Sequence, residues 1–120
     1  MKPETIMIDE VKYVRADKSQ PAEQVDGMKY VIVRSYAAGC FAGYLKEKKY
    51  REVTLKKARR LWYWDGAATL SQLAMKGVAK PASCKFPCEV DNIIINDVCE
   101  VIEATEESKK SIAGVAIWKK

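Results

Sequence analysis

A chain of 120 residues, 48% of them hydrophobic, carries enough apolar material for one core and too little for two independent ones. Its 21 basic and 16 acidic side chains leave a formal charge of +5, well short of the cation density of proteins that wrap duplex nucleic acid, so a small or single-stranded anionic partner fits better. Histidine is absent, which removes the commonest general acid/base and a common metal ligand and turns the expectation from transforming an anion toward binding one.

No apolar run approaches the roughly 18 residues that a membrane span needs. The N-terminus lacks the basic-then-apolar pattern of a signal peptide, so a cytoplasmic protein with no membrane partner is expected. Cys40, Cys84, Cys88 and Cys99 are irregularly spaced, with only the Cys84 and Cys88 pair close together. In a reducing compartment they read as free, mostly packed thiols; two disulfides or a tetrathiolate zinc site are the alternatives.

Residues 1–16 alternate polar positions with Ile6, Ile8, Val11 and Tyr13, enough for an edge strand or hairpin, and the polar stretch 17–27 reads as a linker. Residues 1–27 are therefore expected to be an extension attached to a single α+β domain over 28–120. From Met28 the pattern is β. Tyr30 and Ile32 fall on one face and Val31 and Val33 on the other, the sign of a strand buried on both sides. Gly39 breaks it, a second strand resumes at Phe41, Gly43 suggests a bend or bulge, and the charged residues 46–50 read as a hairpin tip. Residues 51–64 supply a third strand and a fourth.

Thr69 and Gln72 match the capping box, predicting a short helix to about Lys76 closed by Gly77. Two prolines make 80–90 an exposed loop. Residues 91–104 read as a long strand or strand pair with Ile94, Val98 and Ile102 on one face. Thr105 then caps a second helix, with Glu106 and Glu107 at its positive end and Lys109 and Lys110 nearer its carbonyl end, up to Gly114. Residues 115–118 return as a last strand. Short strands joined this tightly predict a strongly curved antiparallel sheet or small barrel with two short helices.

The richest ligand chemistry lies in residues 53–64, VTLKKARRLWYW, where lysines and arginines run into three large aromatics. Guanidinium groups grip phosphate in bidentate fashion and aromatic faces stack on bases. Strand alternation sends Arg59 and Arg60 to opposite faces, so one pocket holds only one of them. The bland reading makes the tryptophans core and both arginines solvated rim charges. Phe86, on an irregular segment, is a candidate lid that closes over a base, or else it pins the loop to the sheet. Asn92 and Asn96 share a strand face and can read a base or ribose edge, or simply mark a strand end. Lys109 and Lys110 can contact phosphate as point charges, or be solvated. The scattered acids form no paired-carboxylate or metal spacing, and no phosphate loop or nucleophile elbow is present, so neither an enzyme nor a metal or cofactor site is expected.

The runs VIVRSYAAGCFAGYL, EVTLKKARRLWYWDGAATLSQLAMKGV and KFPCEVDNIII together resemble a family of small bacteriophage proteins that includes the type-one Thoeris anti-defence sponges. The resemblance covers about residues 28 to 118. It implies a small α+β homo-oligomer, with pockets between subunits, that sequesters a cyclic ADP-ribose-type signal in the infected bacterial cell without degrading it. Relatives that trap cyclic oligonucleotides extend the ligand class. The resemblance further implies a phosphate clamp at Arg59, a stacking lid at Phe86, a polar contact at Asn96, and a cation from Lys109 or Lys110, where an arginine is expected and the bidentate grip is missing. Ala38 and Gly39, where backbone can approach closely, resemble the region used for the larger cyclic ligand. Two readings from other classes stand beside it: a small β-barrel module binding RNA or single-stranded DNA, and a phage structural or assembly protein whose tryptophans form an interface.

Overall fold

A computed structural model describes residues 20–119. The alternating segment expected within residues 1–16 lies outside them. Five strands, β1 (Tyr30–Ser35), β2 (Gly39–Lys49), β3 (Glu52–Arg60), β4 (Glu89–Ile95) and β5 (Val98–Glu103), form one antiparallel sheet in the order β4-β3-β2-β1-β5. Two helices, α1 (Leu70–Lys76) and α2 (Glu106–Ala113), complete the α+β fold.

Topology dictates the shape of this sheet. β4 and β5 occupy opposite edges, about 19 Å apart in a flat sheet, yet only Asn96 and Asp97 join them, a link that spans at most about 11 Å. The sheet must curl until its edges approach. Hydrogen bonds tie both turns flanking β2 to that link: Tyr36 N–H donates to the Asp97 carbonyl at 3.0 Å, and Val98 N–H to the Arg51 carbonyl at 3.0 Å. β4 and β5 do not pair, so the curled sheet stays open and the barrel alternative does not hold.

Curling gives the sheet two cores. Inside the curl, Val31, Val33, Phe41, Val53, Leu55, Ala58, Ile95 and Val98 pack together. On the outer face Tyr30, Ile32, Ala42, Tyr44 and Leu61 meet the helices through Leu73, Ala74 and Ile112. β1 is thus buried on both sides, as its unbroken apolar run requires. The bend in β2 falls at Gly43, where β3 bulges: the register slips between the Ala42–Arg59 and Tyr44–Lys56 pairs, and Lys57 takes a positive φ of 50°. A Cβ on Gly43 would lie 2.9 Å from Ala58 Cα, so only glycine allows this approach.

Both helix starts match their sequence signals. Thr69 Oγ1 accepts from Gln72 N–H at 3.1 Å, and Thr105 Oγ1 from Ser108 N–H at 3.1 Å. The helices pack through buried polar contacts: Ser108 Oγ donates to the Leu73 carbonyl at 2.7 Å and Thr105 Oγ1 to the Met75 carbonyl at 2.6 Å. Upstream of β1, Ala22 is buried and bonded to the Ala104 carbonyl at 3.0 Å, so at least this part of the expected linker is docked on the body.

Several expectations are corrected. β2 continues through the charged residues to Lys49, and the hairpin turns at Tyr50 and Arg51. β3 ends at Arg60; instead of a fourth strand, 61–64 leave the sheet with a single bridge from Tyr63 to Lys85. Ile94, Val98 and Ile102 do not share a face: Ile94 is exposed, Val98 lies inside the curl, and Ile102 packs on the outer core. Within the 80–90 loop a 3-10 turn (Pro81–Ser83) is followed by buried Cys84 and Phe86. Residues 115–118 form no strand: they meet Phe86 through a bridge at Ile117 and a bond from Trp118 N–H to the Phe86 carbonyl at 2.9 Å.

Candidate functional site

Arg59 and Arg60 do point to opposite faces, but their surroundings reverse the simple picture. Arg59 is only 7% exposed. Its Nε donates to the Pro87 carbonyl at 2.9 Å, Nη1 to the Ile112 carbonyl at 2.7 Å and Nη2 to the Phe86 carbonyl at 3.0 Å. One guanidinium therefore fastens the segment before β4 and the end of α2 to the sheet. Desolvation pushes its pKa below the ordinary arginine value, although it remains charged at any working pH. It is a structural anchor first, so the phosphate clamp expected at Arg59 has only two of its five N–H groups left to draw on. The lid expected at Phe86 is corrected. At 0% exposure, with its ring 5.6 Å beneath that guanidinium, it is core and not a lid.

A cleft of about 250 Å³ opens over this anchor, lined by Tyr30, Lys57, Arg59, Glu89 and Lys109 together with Ile112, Ala113, Val115 and Ile117. Three cations converge on it from two elements: Arg59 and the bulge residue Lys57 from β3, and Lys109 from α2. Hydrogen bonding with Tyr44 pushes the Lys109 pKa up, and the ammonium sits 5.5 Å from that ring, which fixes its direction. Burial pushes the Tyr30 phenol strongly up, so it stays neutral. Lys57 and Glu89 were missed in the sequence: period-two alternation does set Lys57 on the side of Arg59, a signal that went unused, whereas Glu89 reaches Arg59 only through the β3–β4 register, which no local pattern shows.

Arg60 faces a second cleft of about 530 Å³ with Ala37, Ala38, Gly39, Cys40, Leu61, Trp62 and Trp64. Its Nη1 donates to the Ala38 carbonyl at 2.9 Å and its guanidinium lies 4.5 Å over the Phe41 ring. The remaining candidates are dispersed. Asn92 is exposed on β4 opposite Lys56, and Asn96 lies in the β4–β5 link beside Lys49, Tyr50 and Arg51. Asn96 stands seven positions from Glu89, about 23 Å along a strand, so it does not join the Arg59 cleft within one chain. Lys110 is exposed on α2 and does not line the cleft that Lys109 lines.

Of the tryptophans, Trp64 is half-buried against the outer core, while Trp62 and Trp118 are exposed. Trp62 is 62% exposed and stacks on Trp118, with centroids 6.4 Å apart and planes 8° from parallel. Lys85 reaches within 5.7 Å of the Trp118 ring and 6.0 Å of Tyr63. Of the cysteines only Cys84 is buried, while Cys88 and Cys99 are exposed, which corrects the mostly packed expectation.

A protein-family model for a domain of unknown function, DUF6948, matches residues 28–112. The chain belongs to this family. No curated protein and no solved structure matches it. The match runs from two residues before β1 into the last turn of α2, so the DUF6948 domain takes in all five strands and every charged group of the Arg59 cleft. No helix among the described residues is long and apolar enough to cross a membrane.

Proposed function

We propose that this protein binds a compact phosphorylated nucleotide of the cyclic ADP-ribose type and sequesters it unchanged, acting as a phage anti-defence sponge in the cytoplasm of the infected bacterial cell. The observation that carries the proposal is the convergence of Lys57, Arg59 and Lys109 on one cleft against the single carboxylate of Glu89. Three cations around one small space repel each other and gain from an anionic guest such as a pyrophosphate. Cyclic oligonucleotides are a second ligand class, for which the larger cleft offers the Arg60 guanidinium, the exposed turn at Ala38 and Gly39, and the faces of Trp62 and Trp64. A chain without histidine is suited to this task, since retention depends on slow release and needs no transition-state groups.

Homo-oligomerisation belongs to the proposal. Ile117 lines the cation cleft and is 56% exposed, alongside exposed Trp62, Tyr63 and Trp118, an apolar margin that a second copy would cover while closing over the guest. That same aromatic surface with Lys85 favours the runner-up reading, a single-stranded nucleic-acid module.

Lys57→Asn keeps a residue tolerant of the left-handed backbone while removing the charge, and Lys109→Gln removes the half-buried cation supplied by α2. Each is expected to weaken cyclic ADP-ribose isomers about tenfold by calorimetry, as loss of one charge-assisted contact does. Unchanged affinity in both variants would refute the cleft as the site. Binding that grows with oligonucleotide length and falls steeply with salt would favour the nucleic-acid reading instead.

A further inference from the structure

Glu89 is an odd resident of a phosphate cleft. It stands directly across from Arg59 in the β3–β4 register, where opposite charges ordinarily pair. They do not. The Arg59 Nε, Nη1 and Nη2 are each committed to a backbone carbonyl, and the ion pairs among the described residues are Lys29 with Glu103, Arg34 with Glu100 and Lys49 with Glu47. The cleft therefore presents an exposed carboxylate, without a cation of its own, beside three cationic side chains.

For a bare phosphate or pyrophosphate this group is a handicap, because an ionised carboxylate only accepts hydrogen bonds and repels phosphate oxygens. For a guest that carries hydroxyl donors next to its phosphate it is an asset. A carboxylate accepts from the hydroxyls of a ribose diol, the same chemistry by which an acidic residue selects ribose in dinucleotide-binding folds. Lys57, Arg59 and Lys109 supply the complementary half, so phosphate and diol would each find a matching group within one cleft.

We infer that Glu89 is a specificity determinant that accepts from ribose hydroxyls, so that the cleft takes ribosyl phosphates with a free 2′,3′-diol in preference to deoxyribosyl or sugar-free phosphates. This rests on the cation cleft proposed above as the ligand site. Because it concerns the sugar, it divides cyclic isomers by which hydroxyl their ring closure consumes.

The test compares pyrophosphate, ADP and 2′-deoxy-ADP by calorimetry on the full-length protein, its Glu89→Ala and Glu89→Gln variants, and the Lys57→Asn variant. The parent is expected to prefer ADP over 2′-deoxy-ADP by about tenfold, the loss of one hydrogen bond to a charged group. Glu89→Ala should bring the two within about threefold while binding pyrophosphate at least as well as the parent. A parent that binds pyrophosphate, weakened by Lys57→Asn, but does not distinguish the two nucleotides overturns the inference and leaves the cleft in place. Equal strengthening of all three ligands in both Glu89 variants, or discrimination that survives Glu89→Ala, also overturns it. A parent that binds none of the three removes the cleft itself. Glu89 is exposed, so its variants are expected to fold, and an unchanged thermal transition verifies that.

Discussion

Arg59 shows how far a residue's role depends on partners remote in sequence. Period-two alternation separates it from Arg60, but its burial follows from carbonyls at Phe86, Pro87 and Ile112, which no local pattern brings near position 59. Replacing it strips three carbonyls of a charged donor at once, two of those bonds being buried. Arg59→Ala is therefore expected to lower the unfolding free energy by about 3 kcal/mol or more, read as a shift of the denaturant midpoint. A variant as stable as the parent would show that these bonds contribute little. Tyr30 makes a second prediction at this scale. Burial raises its folded pKa above the ordinary 10.0, so its contribution is complete below pH 10 and is lost as pH rises further. Tyr30→Phe should flatten the loss of stability above pH 10; a parallel loss in both proteins would assign it to other groups. The same burial logic explains Phe86: an aromatic between Lys85 and Pro87 looks exposed in sequence, and only the guanidinium above it and the strand beside it make it core.

Elements were most legible where their signals are local. Thr69 and Thr105 cap α1 and α2 because hydroxyl, spacing and following residues all sit within one turn, and Gly77, with a φ of 77°, ends α1 as glycine should. Strand pairing across the sheet was not legible. Residues 91–104 read as a long strand or a strand pair, but nothing local says that the two halves lie on opposite edges of one sheet, because that placement is fixed by the curl and not by periodicity. Gly43 is the bridge between the two cases, a local signal with a long-range consequence. Gly43→Ala forces a Cβ against the Ala58 backbone at 2.9 Å and is expected to cost about 2 kcal/mol, again by denaturant midpoint. It should also disturb Lys57 on the facing bulge, so ligand affinity would fall beyond the effect on folding. A stable Gly43→Ala protein with full affinity would mean that the bulge relaxes without moving the cleft.

At the scale of the molecule, the curled sheet provides a rigid wall and α2 lays its lysine across it, which is how a chain of 120 residues builds a cation cleft over a filled core. Composition pointed to a small anion as the partner, and the residues expected to hold it divide between two clefts and a distant link, with Arg60, Ala38 and Gly39 parted from Arg59 and Lys109. That division is what a pocket completed by a second copy would produce, and what a binder of two guests would produce. The central claim is retention without chemistry, so the most direct measurement is to incubate the purified protein with a panel of cyclic ADP-ribose isomers and cyclic di- and trinucleotides, remove free ligand, heat the protein, and identify what it releases by mass spectrometry. The account predicts stoichiometric release of an intact cyclic nucleotide; recovery of linearised or hydrolysed products, or of nothing from any member of the panel, would contradict it.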